Sequence, residues 1–144
     1  MDQKSKVYIY HTAVKWTEQR KGVISCEGKP DVEVATPPEF KGHEGIWSPE
    51  DLFVASANIC LMTTFLAVAE RAGLAFSAYE SAAEGRLELV EGKFQFTTIT
   101  IRPSITLKSG EDAGKAKELI EKAERNCLIS NSMKATVTLE PAIH

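Results

Sequence analysis

Between Ser48 and Gly73 the sequence encodes one long helix, and the rest of the chain has to be arranged around it. Ser48 can accept hydrogen bonds from the free N–H groups of the first turn. Pro49 suits the first helical position, and Glu50 and Asp51 complement the positive end of the helix dipole. Neither glycine nor proline interrupts Leu52 to Arg71, and Gly73 is a natural C-terminal stop. About 24 residues rising 1.5 Å each make a rod of about 36 Å. It is nearly apolar on all faces up to Ala69, a pattern that calls for burial on every side. One small domain can hardly wrap such a rod alone, so the helix predicts a second subunit and an obligate homodimer.

The 144 residues, 43% of them hydrophobic, suit a single domain over 1–144 with an ordinary core. Residues 6–15 alternate as a strand would, and Gly22–Cys26 and Asp31–Ala35 continue as short β pieces around the turn signal Glu27-Gly28-Lys29-Pro30. After the helix, Phe76–Val90 and Lys93–Leu107 read as a β-hairpin turned at Glu91-Gly92. Strict alternation puts Phe94, Phe96, Thr98, Thr100 and Arg102 on one face of the second arm. Gln95, Thr97, Ile99 and Ile101 fall on the other. Glu111–Arg125 reads as a second helix, with Ala116, Leu119, Ile120 and Ala123 as its apolar stripe. Cys127–Ser132 follows as a turn or short helix, and Met133–Glu140 as a closing strand. Strands, long helix, hairpin, helix and strand make an α+β class, not a βαβ repeat.

Charge and composition exclude several functions. The formal net charge is −3, with lysines and arginines scattered among acidic residues, so no electrostatic footprint for nucleic acid is present. The weakly polar stretch Ala55–Ala69 holds Ser56, Asn58, Thr63 and Thr64 and falls short of the ~20 apolar residues that span a bilayer, so no membrane role is expected. The first residues lack the apolar core of a signal peptide, which predicts a cytoplasmic protein. No metal is expected: C-x-x-C and H-E-x-x-H are absent, and His11, His43 and His144 are scattered. Nor is a cofactor, since the glycines sit singly at turns and form no phosphate loop.

That leaves the cysteines, at 26, 60 and 127. In a reducing compartment structural disulfides are rare, so a functional pair would be catalytic or redox-sensing. Periodicity alone makes Cys60 a core residue in mid-helix, and Cys127 follows a charged helix end. The other nucleophilic pairing that the residue types allow, His43 with Cys60, has nothing in the spacing to position it. Cys26 matches no motif and reads as structural.

Longer motifs carry a resemblance. Trp47-Ser48-Pro49-Glu50-Asp51-Leu52-Phe53-Val54-Ala55-Ser56-Ala57-Asn58-Ile59-Cys60 resembles the N/S-P-E-x-L-F-x-A-(x)₃₋₄-C signature of the OsmC/Ohr family. Cys127-Leu128-Ile129-Ser130-Asn131 resembles that family's C-P-x-S-N motif, with leucine where many members carry proline. Asp31-Val32-Glu33-Val34-Ala35-Thr36-Pro37 resembles its D-V-x-x-x-T-P segment. The resemblance spans essentially the whole chain. It implies an α+β fold of antiparallel sheets with a long central helix, in an intertwined homodimer. It also implies a peroxidase acting on organic hydroperoxides, with Cys60 as the peroxidatic cysteine and Cys127 as the resolving one. Glu50 would be the helper carboxylate and Arg20 the helper arginine, although Gln19 and Lys21 flank the same place. An external dithiol, often lipoyl-bound in this family, would reset the enzyme. Ile46, Trp47, Phe53 and Leu128 supply apolar surface for a bulky substrate.

One consequence follows from the helix itself. Glu50 and Cys60 are ten residues apart, about 15 Å along the axis, too far for one arginine to serve both. Glu50 would therefore serve the Cys60 of the other subunit. Two other functions fit the same residues: an interface pocket that binds an apolar small molecule without turnover, and a sensor in which the disulfide signals to a partner.

Overall fold

The computed structural model describes residues 6–144. Packing gathers the chain into two compact units, one ending at Leu52 and one spanning Phe53–His144.

The first unit is a three-stranded antiparallel meander of β1 (Ala13–Glu18), β2 (Lys21–Ser25) and β3 (Val32–Ala35). Gln19, at a φ of 51°, turns β1 into β2, and Gly28, at 81°, turns β2 toward β3. Strand structure begins only at Ala13, not at residue 6 as the alternation suggests. β1 pairs with β2 from Ala13↔Ser25 onward, and beyond Ser25 the chain turns away, so among the described residues no strand lies beside residues 6–12 to satisfy their backbone groups. Val7, Tyr8, Ile9 and Tyr10 are left exposed. A single 3₁₀ turn at Pro38–Phe40 follows β3, and the loop returns so that Ala35 N–H donates to the Trp47 carbonyl at 2.9 Å.

The helix α1 (Pro49–Ala72) has the 24-residue length its end signals predict. Ser48 and Asp51 cap it reciprocally: Asp51 N–H donates to Ser48 Oγ and Ser48 N–H to Asp51 Oδ2, each at 3.0 Å. Gly73, at a φ of 71°, stops it. Lys115 Nζ donates to the free Ala72 carbonyl at 3.0 Å. By length and composition α1 could cross a membrane. Its packing is that of a core helix, with Ala57, Leu61, Phe65, Val68 and Ala69 all in the hydrophobic core. It is not buried on every side, however: Ile59 is 56% and Leu66 42% exposed. A single chain covers one face of the rod and leaves the other open.

In the second unit β4 (Phe76–Val90) and β5 (Lys93–Leu107) form the long hairpin, turned at Glu91 and Gly92 with both φ positive. The helices α2 (Ala113–Arg125) and α3 (Leu128–Asn131) follow, then β6 (Thr136–Leu139) and β7 (Ala142–Ile143). Both closing strands pair with β5 in parallel, so this sheet is mixed, unlike the antiparallel sheets expected from sequence. The core joins α1 to Ile99, Ile101 and Ile105 of β5 and to Ala116, Ile120 and Ala123 of α2. Phe65 lies against Phe76 and Tyr79 at centroid distances of 5.3 and 5.5 Å.

A bulge corrects the reading of β5. Arg86 pairs with Thr98 but Leu87 with Phe96, leaving Thr97 as an extra residue. The slip of one position brings Phe96 to the same core as Ile99 and Ile101, where strict alternation separates them. Gly85 sits under this contact: a Cβ there would lie 2.5 Å from Val54 Cγ2 and 2.9 Å from Phe96 Cε1. Gly85→Ala is expected to force both side chains aside and to cost about 1–3 kcal/mol, by the usual cost of overpacking. Denaturant unfolding measures it, and an unchanged midpoint would show that α1 does not rest on the strand at this point.

Candidate active site

Cys60 faces inward because it lies beside the buried stripe Ala57-Leu61-Phe65-Val68 of α1. Cys127 is fully buried and occupies the position just before α3, with extended backbone. The Asn131 N–H donates to the Cys127 carbonyl at 3.0 Å, closing the single turn that follows. The N–H groups of the first residues of such a turn have no partner inside it. Here those of Leu128 and Ile129, with the Cys127 side chain, favour the charged form of the Cys60 sulfur. Thr64 Oγ1 lies 3.8 Å from the same sulfur, one helical turn along α1.

This surrounding sets the electrostatics. Burial pushes the Cys60 thiol up, but hydrogen bonds from the Cys127 side chain, the Ile129 backbone, Thr64 and the Leu128 backbone together outweigh it. They hold Cys60 below the ordinary thiol range. Cys127 moves the other way: burial raises it, and a charge on Cys60 raises it further, against the opposing bond from Ser130. The two thiols are free and unequal. One is shifted toward the thiolate and the other toward the thiol, an arrangement suited to a nucleophile and a second thiol that answers it.

Ser130 and Glu124 complete the inner side of the pair. Ser130 is buried, with its Oγ 3.4 Å from Cys127 Sγ and 3.5 Å from Glu124 Oε1. Burial raises the Glu124 carboxyl above the ordinary range. The sequence motif includes Ser130 but gives it no role, and Glu124 lies outside it. The available signal was a serine three positions after a cysteine at a helix start, where it faces back across the first turn.

The other expected site residues fall in different surroundings. Leu128 contributes its backbone to Cys60 while its side chain is exposed. Phe53, seven residues before Cys60 and so on the same helix face, stacks on Phe96 at 4.9 Å. In the first unit, Ile46 and Trp47 line an open hollow with Gly45 and Asp51. Arg20 borders a cavity of about 320 Å³ formed largely by Val14, Trp16, Val34, Ala35 and Pro49. Glu50 carries a buried Oε1 with no hydrogen-bond partner among the described residues. It precedes Cys60 by ten residues of α1. Cys26 is half-buried just after β2, with Lys29 Nζ 3.6 Å from its sulfur. No three His, Cys, Asp or Glu side chains gather into a metal-holding group among the described residues.

The family model for OsmC-like proteins matches residues 42–142. The chain belongs to the OsmC-like family. The matched segment contains both thiols of the pair. The chain is 29% identical over 135 residues to the uncharacterized protein YmaD of Bacillus subtilis, covering 91% of this chain and 90% of that one. It is 28% identical over 101 residues to peroxiredoxin OsmC of Escherichia coli, covering 70% and 69%. Among solved structures, an OsmC-like protein of unknown function from Vibrio cholerae superposes with a TM-score of 0.86 at 22% identity, over 94% of this chain and 99% of that one. An organic hydroperoxide resistance protein OsmC from Legionella pneumophila gives 0.73 at 24% identity, over 95% and 98%. These likenesses establish the OsmC-like fold for this chain.

Cys127→Ala removes the thiol that donates to Cys60 and should move the ionisation of Cys60 upward. Thiolate then persists less far toward low pH, and alkylation of Cys60 at a fixed neutral pH should slow. The ultraviolet thiolate absorbance followed through a pH titration, in a Cys26→Ser background, measures it. A midpoint that stays in place or falls would mean that the α3 backbone alone sets it.

Proposed function

We propose that this OsmC-like protein is a thiol peroxidase that reduces organic hydroperoxides to alcohols. The observation that carries the reading is a pair of free, buried thiols, Cys60 and Cys127, whose surroundings favour the thiolate of the first and the thiol of the second. Membership of a family that includes a peroxiredoxin supports it.

The Cys60 thiolate attacks the terminal oxygen of the hydroperoxide, breaking the O–O bond. The sulfur is oxidised to a sulfenic acid, and the alkoxide leaves and takes a proton to become the alcohol. Cys127 then forms a disulfide with Cys60, and the hydroxyl departs as water. An external dithiol, of lipoyl type in our reading, restores both thiols by exchange and is itself oxidised to a disulfide. Arg20 is assigned as the guanidinium that stabilises thiolate and departing alkoxide. Glu50 is assigned as the carboxylate that holds it, reaching the site from a second subunit. The buried, unpartnered Glu50 Oε1 supports that role, being an acceptor in want of a donor. The exposed Val7–Tyr10 segment, Val14, Trp16 and the open face of α1 at Ile59 and Leu66 support a homodimer, since a second copy would cover apolar surface that one chain leaves bare. Ile46, Trp47, Phe53 and Leu128 are assigned to the organic part of the substrate. A reducing, cytoplasmic setting suits a thiol pair that must be reset after each turnover.

Dithiol-dependent consumption of tert-butyl hydroperoxide by the wild type, Cys60→Ser and Cys127→Ser tests this. Turnover should vanish in Cys60→Ser. Cys127→Ser should turn over poorly and accumulate the sulfinic acid at Cys60, visible by intact mass. Negligible rates in all three would overturn the peroxidase reading and leave apolar ligand binding in its place.

A further inference from the structure

The chemistry above leaves one step without a named agent. Cys127 is buried, which favours its protonated thiol, yet it must act as a thiolate to attack Cys60. The site contains a path for that proton. Ser130 Oγ lies between Cys127 Sγ, at 3.4 Å, and Glu124 Oε1, at 3.5 Å. A hydroxyl has one proton and cannot donate to both neighbours at once. The two contacts are therefore two states of one bridge. In one, Ser130 donates to an ionised Glu124 and offers its lone pairs to the Cys127 thiol. In the other, it has turned to donate to the Cys127 thiolate. Passing between them moves a proton from sulfur to carboxyl.

We propose that Ser130 and Glu124 form the proton relay that activates Cys127 in the disulfide-forming step, a reading that builds on the peroxidase function above. The order of events is set by Cys60. While Cys60 is a thiolate, its charge favours the protonated Cys127 thiol. Once Cys60 is a sulfenic acid that charge is gone, and the Cys127 proton is free to turn toward Ser130. Cys127 gives up its proton through Ser130 to Glu124, and its sulfur bonds to the Cys60 sulfur as the Cys60 S–O bond breaks. The departing hydroxide takes a proton from solvent as water, and the half-buried Glu124 returns one to solvent. The count of protons and electrons closes.

Burial makes Glu124 a stronger base than an exposed carboxylate, which suits it to take a proton that began on a thiol. The titratable groups set against this carboxylate are Tyr79 from β4 and, beyond Ser130, Cys127 and Cys60. Burial, with the Glu124 charge added, holds the Tyr79 phenol above its ordinary value, so Tyr79 stays neutral and does not compete for the proton. The 3.5 Å contact is long for a hydroxyl–carboxylate bond, as proton-transfer contacts often are before the reacting state is reached. Ser130 touches the reacting sulfur; Glu124 acts through it.

The test isolates the Cys127 step from hydroperoxide chemistry. In a Cys26→Ser background, Cys60 is converted to its mixed disulfide with thionitrobenzoate, and release of the thionitrobenzoate anion reports attack by Cys127. Glu124→Gln and Ser130→Ala should each slow that release about 100-fold at neutral pH, within the usual range for acid–base assistance. The deficit should shrink as the pH is raised until Cys127 ionises unaided, and Glu124→Asp should recover part of the rate. Wild-type rates in both variants, or a deficit of the same size at every pH, would overturn the relay. Trapping of the Cys60 sulfenic acid after one equivalent of tert-butyl hydroperoxide is read separately. A Cys60 that stays reduced would remove the peroxidase reading while the exchange result stood, and a normal sulfenic yield with unimpaired exchange would remove only the relay.

Discussion

Burial of one face of α1 against β5 and α2 is the constraint on which the rest of this structure depends. The stripe Ala57, Leu61, Phe65 and Val68 can be buried only if the helix presents that side to Ile99, Ile101, Ile120 and their neighbours. Each large side chain so buried contributes about 1.5–3 kcal/mol. The same rotation fixes Cys60, which has no freedom to leave the core side without exposing the stripe. A reactive thiol is thus placed by packing energy that has nothing to do with its chemistry. Gly85 and the bulge at Thr97 serve this contact, one by making room for Val54 and Phe96 and the other by turning Phe96 toward the helix.

Inward placement would by itself make Cys60 a poor nucleophile, because burial disfavours the thiolate. The α2–α3 connection reverses that outcome. A proline-free turn at Cys127-Leu128-Ile129 leaves backbone N–H groups at both positions after Cys127, and both favour the Cys60 thiolate. Leucine at 128 in place of the proline common in the related motif therefore adds a donor here, since proline has none. The exposed Leu128 side chain is a separate matter from what its backbone does.

Much of this was legible in the sequence, for local reasons. Ser48, Asp51 and Gly73 mark the ends of α1 through chemistry that acts within one turn, and Glu91-Gly92 marks the hairpin because its two positive φ angles restrict the residue types. What alternation could not disclose is the presence of a partner. Residues 6–12 have the strand pattern and no strand beside them, while β7 is two residues long and exists because β5 has free edge groups at Ser104 and Ile105 to receive it. The parallel direction of β6 and β7 is likewise fixed by where α2 and α3 deliver the chain. The bulge left no mark, because Thr97 has the same polar character as the Thr98 beside it, so a one-residue slip leaves the pattern looking regular.

The candidate site divides along the same line. Cys60 and Cys127 could be singled out by motif, whereas Ser130 and Glu124 gain a role only once α3 folds Ser130 back over Cys127 and the end of α2 carries Glu124 to it. The sequence contains the spacing, since Glu124, Cys127 and Ser130 recur every three residues. Had one helix run through all three, that spacing would set them side by side on its surface, with the sulfur between carboxylate and hydroxyl. The break at Asn126 and Cys127 instead lets Ser130 reach both groups from a new turn. The hydroxyl becomes the middle member, and a row of three side chains becomes a path with a thiol at one end and a carboxylate at the other.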